Sequence, residues 1–510
     1  MISSLNSGAV LGIDGYLVEV EVTLSPGLPA ISIVGLPDAA VKESSDRVSA
    51  AIRNANLELP QQKITINLAP ADIKKEGSSF DLPIALGILA ANGLILAEAL
   101  KDTLILGELS LDGRVKAIRG TLSIAAAAKQ EGVQRLILPA QNANEASVVE
   151  GLQIIPVATL PQALDYLNGQ IEIAATPDDT AANLFAESQY EVDFADVKAQ
   201  HQVKRALEIA AAGGHNVLLI GPPGSGKSML ARRVPTILPT MALDEAIEAT
   251  KIHSVMGLLS KDKGLLKARP FRTPHHTISD AGLIGGGRYP LPGEVSLAHN
   301  GLLFLDELPE FKRNVLEVLR QPLEDGQVSI SRAAASVSYP ANFILVAAMN
   351  PCPCGYKNDA KRECTCTPHD IRKYVSKISG PLLDRIDIHI EVPALNYNEL
   401  SDEASGEPSE SIRKRVEQSR QIQLHRFSKD SIYFNAGMSS RLLKKHCALD
   451  ANSKNILSLS MDKLGLSARA HDRILKVART IADLAGSESV MAEHVAEAIQ
   501  YRSLDREQWF

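Results

Sequence analysis

The tightest constraint in this 510-residue sequence is the octapeptide GPPGSGKS at 221–228, set between the apolar run HNVLLI and the helix-like MLARRV. Gly221, Gly226, Lys227 and Ser228 meet the spacing G-x-x-x-x-G-K-[ST], with Pro222, Pro223, Gly224 and Ser225 between them. A strand that turns through glycines into a helix can aim consecutive backbone N–H groups inward. The helix then adds the positive end of its dipole, so the loop cradles phosphate. Lys227 supplies a point charge for the β- and γ-phosphates, and the Ser228 hydroxyl is a ligand for Mg²⁺. The flanking strand and helix predict an α/β domain whose cofactors are ATP and Mg²⁺.

Two further segments read as strands ending in polar residues, and a third places an arginine just before a strand. GLLFLDE (301–307) ends in Asp306 and Glu307, and ligands in open α/β sheets bind at the C-terminal ends of strands. Asp306 there suits Mg²⁺, and Glu307 suits the polarisation of an attacking water. FILVAAMN (343–350) ends in Asn350, which either orients water against the γ-phosphate or caps the turn opened by Pro351. In ISGPLLDRIDIHIEV (378–392), Arg385 lies between Asp384 and Asp387. The pattern fits a local ion pair as well as an arginine finger.

A net charge of −7, with 45% hydrophobic and 22% charged residues, argues against coating of nucleic acid by the whole surface but leaves room for a basic channel or loop. Only 4% is aromatic, so the cores are expected to be aliphatic. The N-terminus lacks a basic n-region, and the longest apolar stretch, Ile84 to Ala97, is broken by Asn92 and Gly93. A cytoplasmic protein with no membrane partner is expected.

Texture divides the chain. Residues 1–167 alternate as strands (VEVEVTL, AISIVGL, KITINLA), include helical runs, and carry a hairpin signal at Asp112-Gly113. Residues 168–190 lose the apolar period and read as a linker. The strand–helix alternation of 191–394 is the ATPase domain. An acidic loop and a helical region, 395–510, follow, with SARAHDRILKVARTIADLAG the clearest amphipathic helix.

Four of the five cysteines crowd into fifteen positions as Cys352-Pro-Cys354 and Cys364-Thr-Cys366. Four thiolates suit a tetrahedral, structural Zn²⁺ with no open catalytic position, and His369 is an alternative ligand. A set of reduced thiols is the competing reading.

The segments GPPGSGKSMLARR, FRTPHHTISDAGLIGGG, GLLFLDELPEF, QPLEDGQVSISRA, AAMNPCPCG, SGPLLDRID and LSARAHDRILKVARTIADL together resemble the AAA+ ATPases, and most specifically their magnesium-chelatase-like ComM/YifB family. The resemblance runs over nearly the whole chain. It implies a ring, usually a homo-hexamer, with ATP sites between subunits. Arg385 becomes the finger reaching a neighbour's γ-phosphate, Asn350 sensor 1 and Arg469 sensor 2, with Arg473 one helical turn on as the alternative. DFADVKAQ (193–200) resembles the adenine-pocket segment, with Ala199 where the family carries Gly. QVSISRAAASVSYPA resembles a hairpin that enters the pore, its tip at Ser331 to Ala335; Arg332 is either its DNA contact or part of an ordinary surface hairpin. The His275-His276 pair has no ligand partners at helical spacing and reads as structural or pore-lining.

Residues 1–167 resemble the ribosomal-S5/Lon-protease fold. KKEGSSFDLPIALGILAANG matches the segment bearing the Lon nucleophile, which falls on Ser79, while Leu122 stands where the Lon lysine belongs. Without a base, Ser79 is not activated, so no peptidase activity is expected. The expected function is an ATP-hydrolysing DNA motor, a branch-migration helicase acting on single-stranded or branched DNA during natural transformation or repair, with recombination proteins as candidate partners. The alternatives are a protein-remodelling ATPase and an ATP-binding scaffold; Glu307 and Arg385 speak against the scaffold.

Overall fold

The computed structural model describes residues 2–177, 190–259, 264–287, 290–331, 336–357, 362–394, 406–430 and 432–502. They form two compact units: Met1–Glu187 with Leu243–Lys267, and Ser188–Ala242 with Ala268–Phe510.

The first unit is built on a seven-stranded mixed sheet. Its order is Ala30–Val34, Lys63–Ala69, Asp14–Ser25, Ile2–Leu11, Thr103–Ile105, Arg135–Pro139 and Gln153–Val157. Alternation decides which face is buried. Val18, Val20 and Val22 point into the core while Glu19 and Glu21 point away, and Val20 and Val22 pair with Leu68 and Ile66. The helix Asp81–Ala91 is apolar all round and almost wholly buried, as a helix without a polar face must be.

Ser79 is half-buried beside a cavity of about 500 Å³, whose lining includes Ser78, Glu108 and Arg119 but neither Lys nor His. Leu122 is buried, its amide donating to the Glu145 carboxylate at 2.8 Å. Glu145 also accepts from the Ser254 hydroxyl. Ser254 belongs to the helix Leu243–Val255, which lies within 191–394 in sequence yet folds with the first unit.

The second unit carries a five-stranded, wholly parallel sheet in the order Phe271–Arg272, Leu302–Leu305, Ile344–Met349, Val217–Ile220, Ile388–Glu391. Every residue of Val217–Ile220 and Leu302–Leu305 is buried, which is why these strands read as unbroken apolar runs. The helices Ser409–Arg426, Ser440–His446, Ala451–Leu464, Ala468–Leu484 and Ala492–Gln500 form the C-terminal helical region. Ile474, Val477, Ala478 and Ile481 of Ala468–Leu484 join one core with Val217, Leu219 and Val346 of the sheet. This helical lid is therefore continuous with the core of the parallel sheet.

A buried ion cluster fastens lid to sheet. Asp387 meets Arg473 at 3.0 Å and His215 Nδ1 at 2.9 Å, and His215 Nε2 meets the Thr480 hydroxyl at 2.8 Å. Burial pushes the Asp387 carboxyl up, but Arg473 and His215 outweigh it and hold it far below the ordinary carboxylate range.

Candidate functional site

The strand Val217–Ile220 delivers the phosphate loop to the C-terminal end of the sheet, and the helix Lys227–Arg233 leaves it. Gly226 caps that helix at φ 90°, a conformation L side chains rarely adopt. Two neighbouring strands end beside it. Ser228 Oγ donates to Asp306 Oδ2 at 2.5 Å, so the hydroxyl and carboxylate that suit Mg²⁺ are brought together. Lys227 Nζ donates to Gly221 O (2.8 Å), Pro222 O (2.9 Å) and Asn350 Oδ1 (3.3 Å). Burial lowers the Lys227 pKa against the opposing pull of Asp306 and Glu307. Lys227, Ser228, Asp306 and Asn350 thus form one connected polar cluster.

Glu307 follows with φ 52°, and its amide donates to Asp306 Oδ1 at 2.9 Å. Left-handed backbone at a non-glycine residue costs about 1–3 kcal/mol and concentrates at functional sites. The Glu307 carboxylate stands 3.4 Å from His276 Nδ1, and the His276 ring packs on His275 and edge-on to Phe311. The expectation for His276 was a structural or pore-lining place. Its position against Glu307 follows from topology: the strand Phe271–Arg272 lies beside Leu302–Leu305, so the residues after both strands emerge together. A two-residue strand leaves no periodicity for sequence to reveal.

At the base of the loop, Gln200 Nε2 donates to Ser225 O (2.9 Å) and Pro393 O (3.3 Å). Ala199 and Gln200 both have positive φ, 50° and 54°, the conformation that a glycine at 199 adopts without strain.

Arg385 and Arg469 stand elsewhere. The register pairs Val217 with Ile388 and Ile220 with Glu391 in parallel, so Arg385, preceding its strand, lies at the opposite end of the sheet from the loop that follows Ile220. It is buried and paired with Glu324, not with Asp384 or Asp387, and also donates to Pro381 O. Arg469 is exposed and meets Asp384 at 3.2 Å. Arg385, Arg469 and Arg473 line one cavity of about 250 Å³. The structure therefore groups the arginines with each other and apart from the phosphate loop.

The hairpin Gln327–Ser331 and Ser336–Pro340 forms in register, Ser331 opposite Ser336; Arg332 lies outside the described residues. Tyr339 donates to Pro290 O at 2.7 Å, joining the hairpin to the chain that follows His275 and His276. Past Asn350, the four sulphurs of Cys352, Cys354, Cys364 and Cys366 lie within 4.8 Å of one another.

Family models described as "Magnesium chelatase, subunit ChlI", "Subunit ChlI of Mg-chelatase" and "Magnesium chelatase, subunit ChlI C-terminal" match residues 193–400, 20–142 and 406–502. The chain is 45% identical to the competence protein ComM of Haemophilus influenzae over 506 residues, 98% of this chain and 97% of that one. The chain belongs to the magnesium-chelatase-like ComM/YifB family of AAA+ ATPases. It is also 42% identical to the uncharacterized protein YifB of Escherichia coli over 508 residues, 99% of this chain and 98% of that one. Lon protease 2 of Bacillus subtilis is 30% identical over 177 residues, 32% of this chain and 31% of that protein. As a ComM/YifB-family member the chain is an AAA+ ATPase, with ATP and Mg²⁺ as its expected ligands. No helix among the described residues is long and apolar enough to cross a membrane.

Proposed function

We propose that this chain is the subunit of a cytoplasmic homo-hexameric DNA motor, a branch-migration helicase acting on single-stranded or branched recombination intermediates in natural transformation or repair. The observation that carries the ring is the separation of Arg385 and Arg469 from the phosphate loop: a finger at the far end of its own sheet reaches only a neighbour's ATP. Lys227 and the loop amides bind the phosphates, and Ser228 and Asp306 hold Mg²⁺, which neutralises charge on the β- and γ-phosphates. Glu307 takes the proton of the attacking water, Asn350 orients that water, and the neighbour's Arg385 stabilises charge on the transferring phosphoryl, with Arg469 as sensor 2. A structural Zn²⁺ on the four cysteines completes the cofactor set.

DNA is the proposed substrate because the 45% identical relative is named for competence and because Arg332 lies in sequence between the paired strands Gln327–Ser331 and Ser336–Pro340. Recombination proteins are the corresponding partners. Peptide hydrolysis is not proposed, since Leu122 is buried where a base would stand.

The test is ATP turnover without DNA, with linear duplex and with four-way junctions, with strand movement scored in parallel. Stimulation by junctions together with branch migration is expected. Indifference to every DNA overturns the DNA reading and favours protein remodelling, the alternative activity.

A further inference from the structure

The cysteine cluster is too close to the nucleotide site to be a remote staple. Sulphur separations are 3.4 Å for Cys352–Cys354, 3.7 Å for Cys352–Cys364 and 3.6 Å for Cys354–Cys364. Thiolates tetrahedrally bound about 2.3 Å from one zinc ion stand roughly 3.7 Å apart. The Cys354 amide donates to Cys366 Sγ at 3.3 Å, and the amides of Tyr356 and Thr365 point at Cys354 Sγ. Such N–H···S bonds are the outer support that orients thiolate ligands.

Three connections lead from this cluster to ATP. Cys352 follows Asn350 by two residues, and Asn350 Oδ1 touches the Lys227 ammonium. Cys366 is followed by Thr367, which caps the helix Pro368–Val375; Tyr374 of that helix sends its hydroxyl back to the Asn350 backbone amide. Gly355, at φ 87°, turns its backbone onto the phosphate loop so closely that a Cβ there would lie 2.5 Å from Pro223 Cδ.

We propose that Zn²⁺ held by Cys352, Cys354, Cys364 and Cys366 clamps Asn350–Gly355 and the Tyr374 helix together against Pro223 of the phosphate loop, so that metal occupancy sets the affinity of the chain for ATP. This rests on the structural-zinc reading above and extends it to control of nucleotide binding. The metal joins the chain leaving Asn350 to the chain entering the Tyr374 helix. Its removal frees both ends and with them the backing of the phosphate loop.

The test measures zinc per chain by mass spectrometry and the Kd of a fluorescent ATP analogue on the full-length protein. Near-stoichiometric zinc is expected in the wild type. Cys364→Ser should lose the metal and bind nucleotide about tenfold more weakly, a change of about 1.4 kcal/mol. Cys364→His, which offers a Cys₃His set, should restore both zinc and affinity. Gly355→Ala keeps all four ligands, so zinc should stay while affinity falls through the collision with Pro223; this variant reads the coupling even where Cys364→Ser misfolds.

Wild-type protein with almost no zinc that still binds ATP overturns the metal site and leaves the ATPase assignment standing. Loss of zinc with unchanged affinity, or Gly355→Ala with unchanged affinity, overturns the coupling. Wild-type, zinc-loaded protein that binds no ATP defeats the nucleotide reading itself.

Discussion

Lys227 and Glu307 occupy the same site but answer to different steps. The Lys227 ammonium sits among loop carbonyls and Asn350, and on the proposed reading its charge meets phosphate in ground state and transition state alike. Lys227→Ala should therefore abolish ATP binding, seen as loss of saturable nucleotide binding at millimolar concentration. Glu307 holds its carboxylate toward His276, 3.4 Å from its Nδ1. Glu307→Gln should bind ATP normally and turn over about 10²- to 10⁴-fold more slowly, the range of a lost general base. Single-turnover hydrolysis beside equilibrium binding separates the two variants; retained turnover in Glu307→Gln would mean another group takes the proton. Lys227 and Ser228 were legible because their meaning lies in spacing along one strand–loop–helix, and Asp306 because it ends an apolar strand of its own. His276 was not, because its contact with Glu307 depends on which strands are neighbours, and Ala199 concealed its left-handed backbone behind an ordinary side chain.

Among the elements, the strands of the parallel sheet announced themselves as short apolar runs, and the amphipathic helix Ala468–Leu484 by its period. The helix Leu243–Val255 gave no sign that it leaves the surrounding domain, since its partners Glu145 and the helix Thr121–Gln130 lie more than a hundred residues away. Long-range ion clusters are equally silent in sequence, yet one of them fixes the lid. Asp387→Ala strips a buried carboxylate from Arg473 and His215 and should cost about 3–5 kcal/mol in urea denaturation at neutral pH. The sign of its pH dependence follows from the depressed folded pKa. The contribution of Asp387 is complete above its unfolded value of about 3.9 and is lost as pH falls toward the folded value, so wild type and variant should converge in acid. A constant gap between them across that range would remove ionic anchoring as the cause. In the hairpin, Arg332→Ala should weaken DNA binding and reduce the salt slope by about 1 if the side chain meets phosphate. An unchanged slope takes Arg332 out of the DNA path.

At the scale of the whole molecule, the decisive feature is that Lys227, Asp306 and Glu307 lie at one end of the parallel sheet and Arg385, the proposed finger, at the other. Lys227, Asp306 and Glu307 follow their strands, whereas Arg385 precedes its own, and parallel register keeps these ends apart however the side chains move. On the proposed assignment of Arg385 as the finger, a monomer does not complete its own site, and head-to-tail association about a rotation axis closes a ring in which every interface is the same. Complementation tests this directly. Glu307→Gln subunits retain a working Arg385, and Arg385→Ala subunits retain a working Glu307, so each variant alone should be inactive. In mixed rings, an interface that presents Glu307 from an Arg385→Ala subunit to Arg385 from a Glu307→Gln subunit is whole. Random mixing in equal parts makes about a quarter of the interfaces whole in this way. ATP turnover should accordingly return on mixing and peak near equal proportions. Co-purification through two different tags verifies that the rings are mixed. Verified mixed rings that stay inactive at every ratio would place the finger in its own subunit and contradict the geometry from which the ring was inferred.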